Sequence, residues 1–314
     1  MGTPDLACAS LRALAACPEF EVVAVVTQPD RPKGRDLKLL PPPVKVLAVE
    51  LGLPILQPEK ARHEGFVNEL RGFAPDLIAV AAFGQILPAS ILDLPPHGCL
   101  NVHTSLLPRY RGAAPIQWAI LNDDSETGVT IMKMDVGLDT GPIVATRATP
   151  ISGSETSQNL HDRLAGLGAA LLVQTIPGYV AGTIQPRPQP AEGVVYARKI
   201  RKEDGLIDWT QSAQRIWNRV RGLVPWPGAF THLPLDGKPS TPSKPHLLKV
   251  WQAEMATGSG APGEIVSADK TGLVVACGSG LLRILQLQRE GGKRLAPGEF
   301  LAGHALHPGQ RLGA

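Results

Sequence analysis

The 314-residue chain has no run of about 18 uncharged apolar residues, which excludes a membrane-spanning helix. Its first residues show no basic segment followed by an apolar stretch and a small-residue cleavage site, so we expect no secretion signal. Cysteine is scarce, and Cys8, Cys17, Cys99 and Cys277 form no CxxC pair and stand near no histidine cluster. We therefore expect neither a disulfide framework nor a metal site, and this cysteine usage favours the reducing cytoplasm.

Apolar residues are not scarce, since they make up 43% of the chain. This share is enough to build sizeable cores and argues against a disordered protein. Because the length is about twice that of a common single domain, we expect two domains.

Charge is small in total but unevenly placed. The net charge is +3; residues 1–197 carry 15 basic and 19 acidic side chains, whereas residues 206–314 carry 12 and 7. A basic second part indicates a polyanionic partner, and an ordinary solvated surface is the alternative that charge alone leaves open.

The first part of the chain combines short apolar runs with helical stretches. Runs typical of buried parallel strands lie at 22–27, 77–82 and 99–103. Helical stretches lie around them at about 5–16, 44–51, 64–73 and 114–121. This order predicts a doubly wound parallel sheet of the α/β class, with an active site beyond the carboxyl ends of its strands.

The second part has a different organisation. A helix at about 156–176 is followed by the proline-rich stretch 182–190, which predicts an extended linker. Beyond it, a helix at about 212–221 precedes short strand-like runs separated by glycine and proline, which predict a small β-barrel. We therefore expect a catalytic domain at 1–181, a linker at 182–205 and a second domain at 206–314.

Asn101 and His103 are the first candidates for chemistry. They stand two residues apart at the end of a predicted strand, so their side chains point to the same face. An imidazole moves protons near neutral pH and an amide N–H stabilises an oxyanion, a combination that suits acyl transfer. The alternative is a core pair in which the two side chains satisfy each other's hydrogen bonds.

A second candidate segment, at 134–142, holds Asp135 and Asp139 among glycines. Aspartates in such a setting are usually turn formers. A carboxylate can also orient a histidine and stabilise its charged form. Spacing alone leaves both interpretations open.

Several long motifs together resemble the methionyl-tRNA formyltransferases, within the folate-dependent formyltransferase family. They are TQPDRPKGRDLKLLPPPVK, NVHTSLLPRYRGAAPIQ and ETGVTIMKMDVGLDTGPI in the first part, and YARKIRKEDGLIDW and VRGLVPWPGAF in the second. The Asn-x-His and SLLP core is shared with formyltransferases that act on small amines, whereas the second domain and the basic loop point to the tRNA enzymes.

The resemblance implies a function and a set of site residues. The function is transfer of a formyl group from 10-formyltetrahydrofolate, the co-substrate, to the amino group of methionyl initiator tRNA. The implied catalytic trio is Asn101, His103 and Asp139. The implied folate-binding strip is Ser105, Leu106, Leu107 and Pro108.

We expect the protein to be a monomer that needs no metal. The resemblance also implies two tRNA-binding regions. A basic loop at 27–45 is expected to reach the tRNA acceptor end through Arg31, Lys33, Arg35 and Lys38. The second domain is expected to be an OB-like barrel whose basic side chains contact phosphates, with candidates at Arg198, Lys199, Arg201, Lys202, Arg215, Arg219, Arg221, Lys293 and Arg294.

Three other functions compete with this one. An enzyme of the same chemistry could act on a small amine, such as glycinamide ribonucleotide or an amino sugar, and would not need the basic second domain. A formyl-folate hydrolase would use water as the nucleophile. A non-catalytic RNA-binding protein could be built on a decayed enzyme, against which the intact Asn101, His103 and Asp139 argue.

The resemblance further implies a short apolar strand before the Gly2-Thr3-Pro4-Asp5 turn. We therefore expect about seven further residues upstream of Met1, a figure that also suits a typical strand length. Such a strand would lie in the middle of the parallel sheet, buried on both faces.

Overall fold

The computed structural model of the chain describes residues 1–33, 38–233 and 246–313. Its helices in chain order are α1 Asp5–Ala16, α2 Pro43–Glu50, α3 Glu64–Gly72, α4 Ala89–Leu92, α5 Pro115–Leu121, α6 Ser157–Val180, α7 Ala213–Gly222 and α8 Pro297–Gly303. In this described part, no helix combines the length and the apolar character needed to cross a membrane.

The strands fall into a first and a second set along the chain. The first set is β1 Val25–Val26, β2 Arg31–Lys33, β3 Lys38–Leu40, β4 Ile55–Leu56, β5 Ile78–Val80, β6 Cys99–His103, β7 Arg111–Gly112, β8 Glu126–Lys133, β9 Ile143–Pro150 and β10 Tyr196–Ala197. The second set is β11 Ala229–His232, β12 Leu247–Ala256, β13 Ile265–Asp269, β14 Gly272–Ala276 and β15 Leu281–Arg289.

The chain forms two compact units, and the first consists of Met1–Pro115, Glu126–Pro150 and Leu160–Arg198. Within it β1 pairs with β4, and β5 with β6, in parallel, so the predicted parallel sheet is confirmed. β8 and β9 continue the sheet beyond β6 in antiparallel register. The sequence pattern does not predict β8, because its residues 127–132 are all buried yet include threonine and glycine, so neither alternation nor an apolar run marks them.

β6 is the strand that carries the first candidate residues. It forms at the predicted residues, between β5 and β8 in the sheet, because the side chains of Cys99, Leu100 and Val102 are almost completely buried on the faces of the sheet. Ile78 pairs with Cys99 and Val80 with Asn101, which fixes the register of the strand end. Asn101 and His103 therefore stand on a rigid element at the edge where a parallel sheet places its chemistry.

A cavity of about 600 Å³ lies in the first unit between β1 and β5. Met1 and Gly2 stand between these strands: the Gly2 N–H donates to Val26 O over 3.0 Å, and the Ala81 N–H donates to Met1 O over 2.9 Å. The cavity continues from there along the segments 21–26 and 74–81. It therefore coincides with the place where a further parallel strand would lie.

An apolar, β-branched extension of about seven residues upstream of Met1 is expected to occupy this cavity and pair with β1 and β5. Such pairing would satisfy buried backbone groups and remove apolar surface from water. The melting temperature should then rise by roughly 2–4 °C for each kcal/mol gained. An extension of equal length made of Ser, Asp and Lys is the control, and equal melting temperatures of the two extended chains would contradict the prediction.

The second unit consists of Ile116–Ser125, Ile151–Asn159 and Lys199–Ala314. Its five strands form one antiparallel sheet in the order β11-β12-β15-β14-β13. Ile216 and Val220 of α7 pack into the core of this unit with residues such as Leu248 and Ile284 of the sheet, and the Ser212 hydroxyl caps α7 by accepting the Arg215 N–H. Among the described residues β11 and β13 stay at the edges, so this sheet is not closed into a barrel.

Candidate functional site

The structure brings the three candidate catalytic side chains together in the first unit. The Asn101 amide nitrogen lies 3.5 Å from Asp139 Oδ1, and His103 Nδ1 lies 3.7 Å from Asp139 Oδ2. Asn101 and His103 come from β6, and Asp139 comes from the turn between β8 and β9. Both distances are long for hydrogen bonds, so the carboxylate acts on the imidazole mainly through its charge.

The two aspartates of the turn at 134–142 make different contacts. Asp135 Oδ1 accepts hydrogen bonds from the Gly137 N–H over 3.0 Å and from the Thr140 hydroxyl over 2.7 Å, so Asp135 is the turn former. Asp139 adopts a left-handed backbone conformation with φ of 53°, and its carboxylate turns inward and is 13% exposed. Asp135 therefore closes the turn, whereas Asp139 places its carboxylate beside His103.

Gly112 donates a short hydrogen bond to the Asp139 carboxylate. Its backbone N–H donates to Asp139 Oδ2 over 2.8 Å. Its φ is 116°, a conformation that side chains rarely adopt, and an added Cβ would stand 2.7 Å from Ala197 O. A glycine is therefore required where β7 passes between Asp139 and β10.

The carbonyl of Tyr110 fixes the orientation of His103. His103 Nε2 lies 2.9 Å from Tyr110 O, and the ring is almost fully buried. A carbonyl oxygen only accepts hydrogen bonds, so Nε2 carries the proton of the neutral ring. Nδ1, which carries no hydrogen in that tautomer, faces Asp139.

The candidate folate strip at 105–108 is a turn held against β8. The Ser105 hydroxyl donates to Arg109 O over 2.6 Å, and the Thr130 hydroxyl donates to Ser105 O over 2.7 Å. The Thr130 oxygen also accepts the Leu107 N–H over 3.1 Å. The polar groups of the strip thus hold the turn together, and the apolar side chains of Leu106 and Pro108 are half-buried.

The candidate tRNA loop is a β-hairpin in which Arg31 pairs with Leu40 and Lys33 with Lys38. Its tip, with Arg35, lies outside the described residues. Arg31 is exposed and stands 3.8 Å from Glu59. Arg31 and Lys38 are therefore exposed on two paired strands.

The base of this hairpin is tied down at Asp30. Hydrogen bonds from the Gln57 amide and the Lys45 ammonium lower the pKa of the Asp30 carboxyl below its usual range. Lys45 Nζ is 2.8 Å from both carboxylate oxygens, and Gln57 Nε2 is 2.8 Å from Oδ1. Lys45 is thus engaged in holding the loop.

Two candidate phosphate contacts of the second unit have structural partners. Arg221 is 6% exposed, donates to Asn218 Oδ1 over 3.1 and 3.0 Å and stacks on Trp217. Arg219 donates to Asp204 O, and burial lowers the pKa of its guanidinium. Their charges therefore serve the fold of this unit.

Two cations of the second unit lie against the indole ring of Trp251 in β12. The Arg294 guanidinium lies 3.6 Å from the centre of the indole, and Lys249 Nζ lies 5.2 Å from it. The indole N–H donates to Gln288 Oε1 over 2.8 Å, which fixes the ring. This arrangement holds two positive charges on one aromatic platform.

Gln189 also contacts the site, although no sequence pattern indicated this residue. Gln189 donates from its amide nitrogen to Asp139 O and to Gly141 O, each over 2.8 Å. It lies in the proline-rich stretch interpreted as a plain linker. Its only signal in the sequence is a polar side chain in an extended segment, which is too common to predict a contact.

The chain belongs to the formyl transferase family. The model of the formyl transferase domain matches residues 2–176, and the model of the formyl transferase C-terminal domain matches residues 199–305. The two matches together cover most of both units.

Curated relatives are similar over the whole chain. A methionyl-tRNA formyltransferase of Citrifermentans bemidjiense is 55% identical over 313 residues, which is 100% of this chain and 95% of the relative. Those of Geobacter sulfurreducens and Myxococcus xanthus are 53% and 51% identical, over 100% and 99% of this chain and 95% and 96% of their own lengths.

Solved structures share the fold at low identity. An N-formyltransferase from Helicobacter canadensis, solved with folinic acid and dTDP-3-aminofucose, has a TM-score of 0.64 at 18% identity, over 94% of this chain and 97% of that one. HypX from Aquifex aeolicus, solved with tetrahydrofolic acid, has a TM-score of 0.57 at 17% identity. That match covers 81% of this chain but only 43% of HypX.

Proposed function

We propose that this protein transfers the formyl group of 10-formyltetrahydrofolate to the α-amino group of methionyl initiator tRNA, for the initiation of translation. The observation that carries the proposal is the full-length similarity, at 51–55% identity, to enzymes named methionyl-tRNA formyltransferase. That similarity includes the basic second unit. We place the enzyme in the cytoplasm, as a monomer.

The reaction exchanges one carbon–nitrogen bond for another. The methionyl nitrogen attacks the formyl carbon on N10 of the folate, and a tetrahedral oxyanion forms. The bond from that carbon to N10 then breaks, the amine loses one proton and N10 gains one. Catalysis therefore needs a donor for the oxyanion and a group that relays the proton.

The trio supplies both needs. The Asn101 amide donates to the oxyanion, a contact worth about 3 kcal/mol in comparable sites. His103 accepts the proton of the amine at Nδ1, the nitrogen left free by its hydrogen bond to Tyr110 O. The Asp139 carboxylate, 3.7 Å from Nδ1, stabilises the imidazolium that results.

The folate is assigned to the strip at 105–108. The half-buried Leu106 and Pro108 offer apolar contacts to the pterin or the benzoyl ring, next to the trio at the end of β6. Two proteins of the same fold were solved with tetrahydrofolic acid or folinic acid, which supports a folate as the formyl donor.

The tRNA is assigned to the basic hairpin and to the second unit. Arg31, Lys33, Arg35 and Lys38 would contact the acceptor end, and cations such as Lys249 and Arg294 on Trp251 would contact phosphates. In this assignment residues 1–181 form the catalytic domain, residues 182–205 form the linker, and residues 206–314 form an OB-like tRNA-binding domain.

The proposal is tested by offering purified protein 10-formyltetrahydrofolate with methionyl initiator tRNA, with glycinamide ribonucleotide, with an amino sugar nucleotide, and with water alone. We expect formyl-methionyl-tRNA as the main product, because the full-length relatives carry that name. Liquid chromatography of the deacylated amino acid measures it. Formylation of a small amine only, or release of formate only, would overturn the choice of substrate.

Replacing the trio is expected to stop turnover without unfolding the protein. In Asp139→Asn the amide oxygen can still accept the Gly112 N–H, but the negative charge beside His103 is lost. We expect kcat/KM to fall by about 100-fold or more in Asp139→Asn and in His103→Ala. Steady-state kinetics and circular dichroism measure activity and folding.

The matched controls are Asp93→Asn and His63→Ala, two exposed side chains of the same unit, and both should keep normal kinetics. Near-normal turnover of a folded His103 or Asp139 variant would remove that residue from the mechanism.

The hairpin predicts a salt-dependent weakening of tRNA binding. In Arg35→Ala combined with Lys38→Ala we expect lower affinity, and the salt slope should fall by about one for each phosphate that is no longer neutralised. Titration of tRNA at several salt concentrations measures both quantities. Lys60→Ala, an exposed lysine outside the hairpin, is the control. Unchanged affinity of the double variant at physiological salt would exclude this role.

A further inference from the structure

We propose that Gln189 is a positioning residue for formyl transfer, which holds the turn of Asp139 so that its carboxylate reaches His103 and Gly112. The proposal rests on the proposed function through the role of Asp139. It assigns a task to a side chain from the segment that connects the two predicted domains.

The amide nitrogen of Gln189 binds the turn of Asp139. Gln189 Nε2 lies 2.8 Å from Asp139 O and 2.8 Å from Gly141 O. Both hydrogens of the amide are thus donated to two carbonyls of one tight turn. They hold the backbone of Asp139 itself in its left-handed conformation, which is uncommon for a residue other than glycine.

The amide oxygen of Gln189 binds a different element. Gln189 Oε1 accepts from Arg111 Nε over 3.1 Å and from Arg111 Nη2 over 2.7 Å. Arg111 precedes Gly112, whose N–H donates to the Asp139 carboxylate. One carboxamide therefore connects the backbone of Asp139 with the strand that binds the Asp139 side chain.

The chemistry of this position specifies glutamine. A glutamate would keep the contact with Arg111 but present a carboxylate to two carbonyl oxygens, with no hydrogen to donate. A leucine of similar size would lose all four hydrogen bonds. Only a side chain with donors and an acceptor at this reach satisfies both neighbours at once.

The segment around Gln189 is itself fixed by backbone pairing. Ile143 and Arg187 exchange two hydrogen bonds, of 2.7 and 2.8 Å, on one side of it. On the other side the Arg111 N–H donates to Val195 O over 2.9 Å, and β10 pairs with β7. Gln189 is thus held between the turn and β7, as a positioning residue must be.

The decisive experiment combines Gln189→Leu with Asp139→Asn in a double-mutant cycle. We expect Gln189→Leu to lower kcat by about 10- to 100-fold, with KM for tRNA and folate within about twofold, because the reacting groups lose their alignment while binding surfaces remain. Because Gln189 acts through Asp139, the double variant should be no slower than Asp139→Asn alone.

Two further variants separate positioning from stability. Gln185→Leu removes an exposed glutamine of the same segment that donates to Gly182 O, and should keep normal kcat. Gln189→Glu should be as slow as Gln189→Leu. A purely structural role predicts instead a lower melting temperature with losses that multiply in the double variant, and that result would overturn the proposal.

A measurement that needs no substrate distinguishes failure of the positioning role from failure of the proposed function. The NMR chemical shifts of the His103 ring, assigned by their loss in His103→Ala, report the position of the Asp139 carboxylate beside the ring. In Gln189→Leu we expect these chemical shifts to move toward those of Asp139→Asn, because the carboxylate leaves its place beside the imidazole. Unchanged chemical shifts would overturn the positioning role, whereas failure of wild-type protein to formylate methionyl-tRNA would overturn only the proposed function.

Discussion

The rest of the site depends on where the Asp139 carboxylate lies. The Asp139 side chain is only 13% exposed, so its carboxylate needs partners within the protein, and it finds them in the Gly112 N–H at 2.8 Å, the Asn101 amide and the imidazole of His103. Asn101 and His103 come from β6, and Gly112 comes from β7. The carboxylate therefore requires several segments to take one arrangement before any chemistry is possible.

These segments are held by hydrogen bonds between groups of the protein itself. Tyr110 O accepts from His103, Thr130 holds the turn at 105–108, and Asp135 closes its own turn. Because such groups fix orientation, the trio stands on backbone that β6, β8 and the segment at 187–197 keep in place. Close packing at Gly112, where a Cβ would meet Ala197 O at 2.7 Å, makes that arrangement intolerant of larger residues.

Sequence patterns predicted those helices and strands whose formation depends on residues close together in the sequence. α1 and β6 lie at the expected residues, because an apolar helix face and a strand buried on both sides leave clear signals. β8 was missed, since its buried residues include threonine and glycine, and so was Gln189, whose partners Asp139 and Arg111 are 50 and 78 residues away. The trio itself was found through motif resemblance, whereas residue spacing alone left Asn101, His103 and Asp139 with structural alternatives.

The charge of the second unit shows why a count of basic residues is a weak guide to binding. Arg221 and Arg219 contribute to its positive balance, yet their guanidinium groups are committed to Asn218 and to the Asp204 carbonyl. Arg294 differs, because its guanidinium lies 3.6 Å from the centre of the half-buried Trp251 ring, where Lys249 is the second cation. A phosphate gains more from cations that are already ordered than from mobile ones, since less side-chain entropy is lost on binding. The ordered pair on Trp251 is thus a stronger reason to place a polyanion on this unit than its net charge.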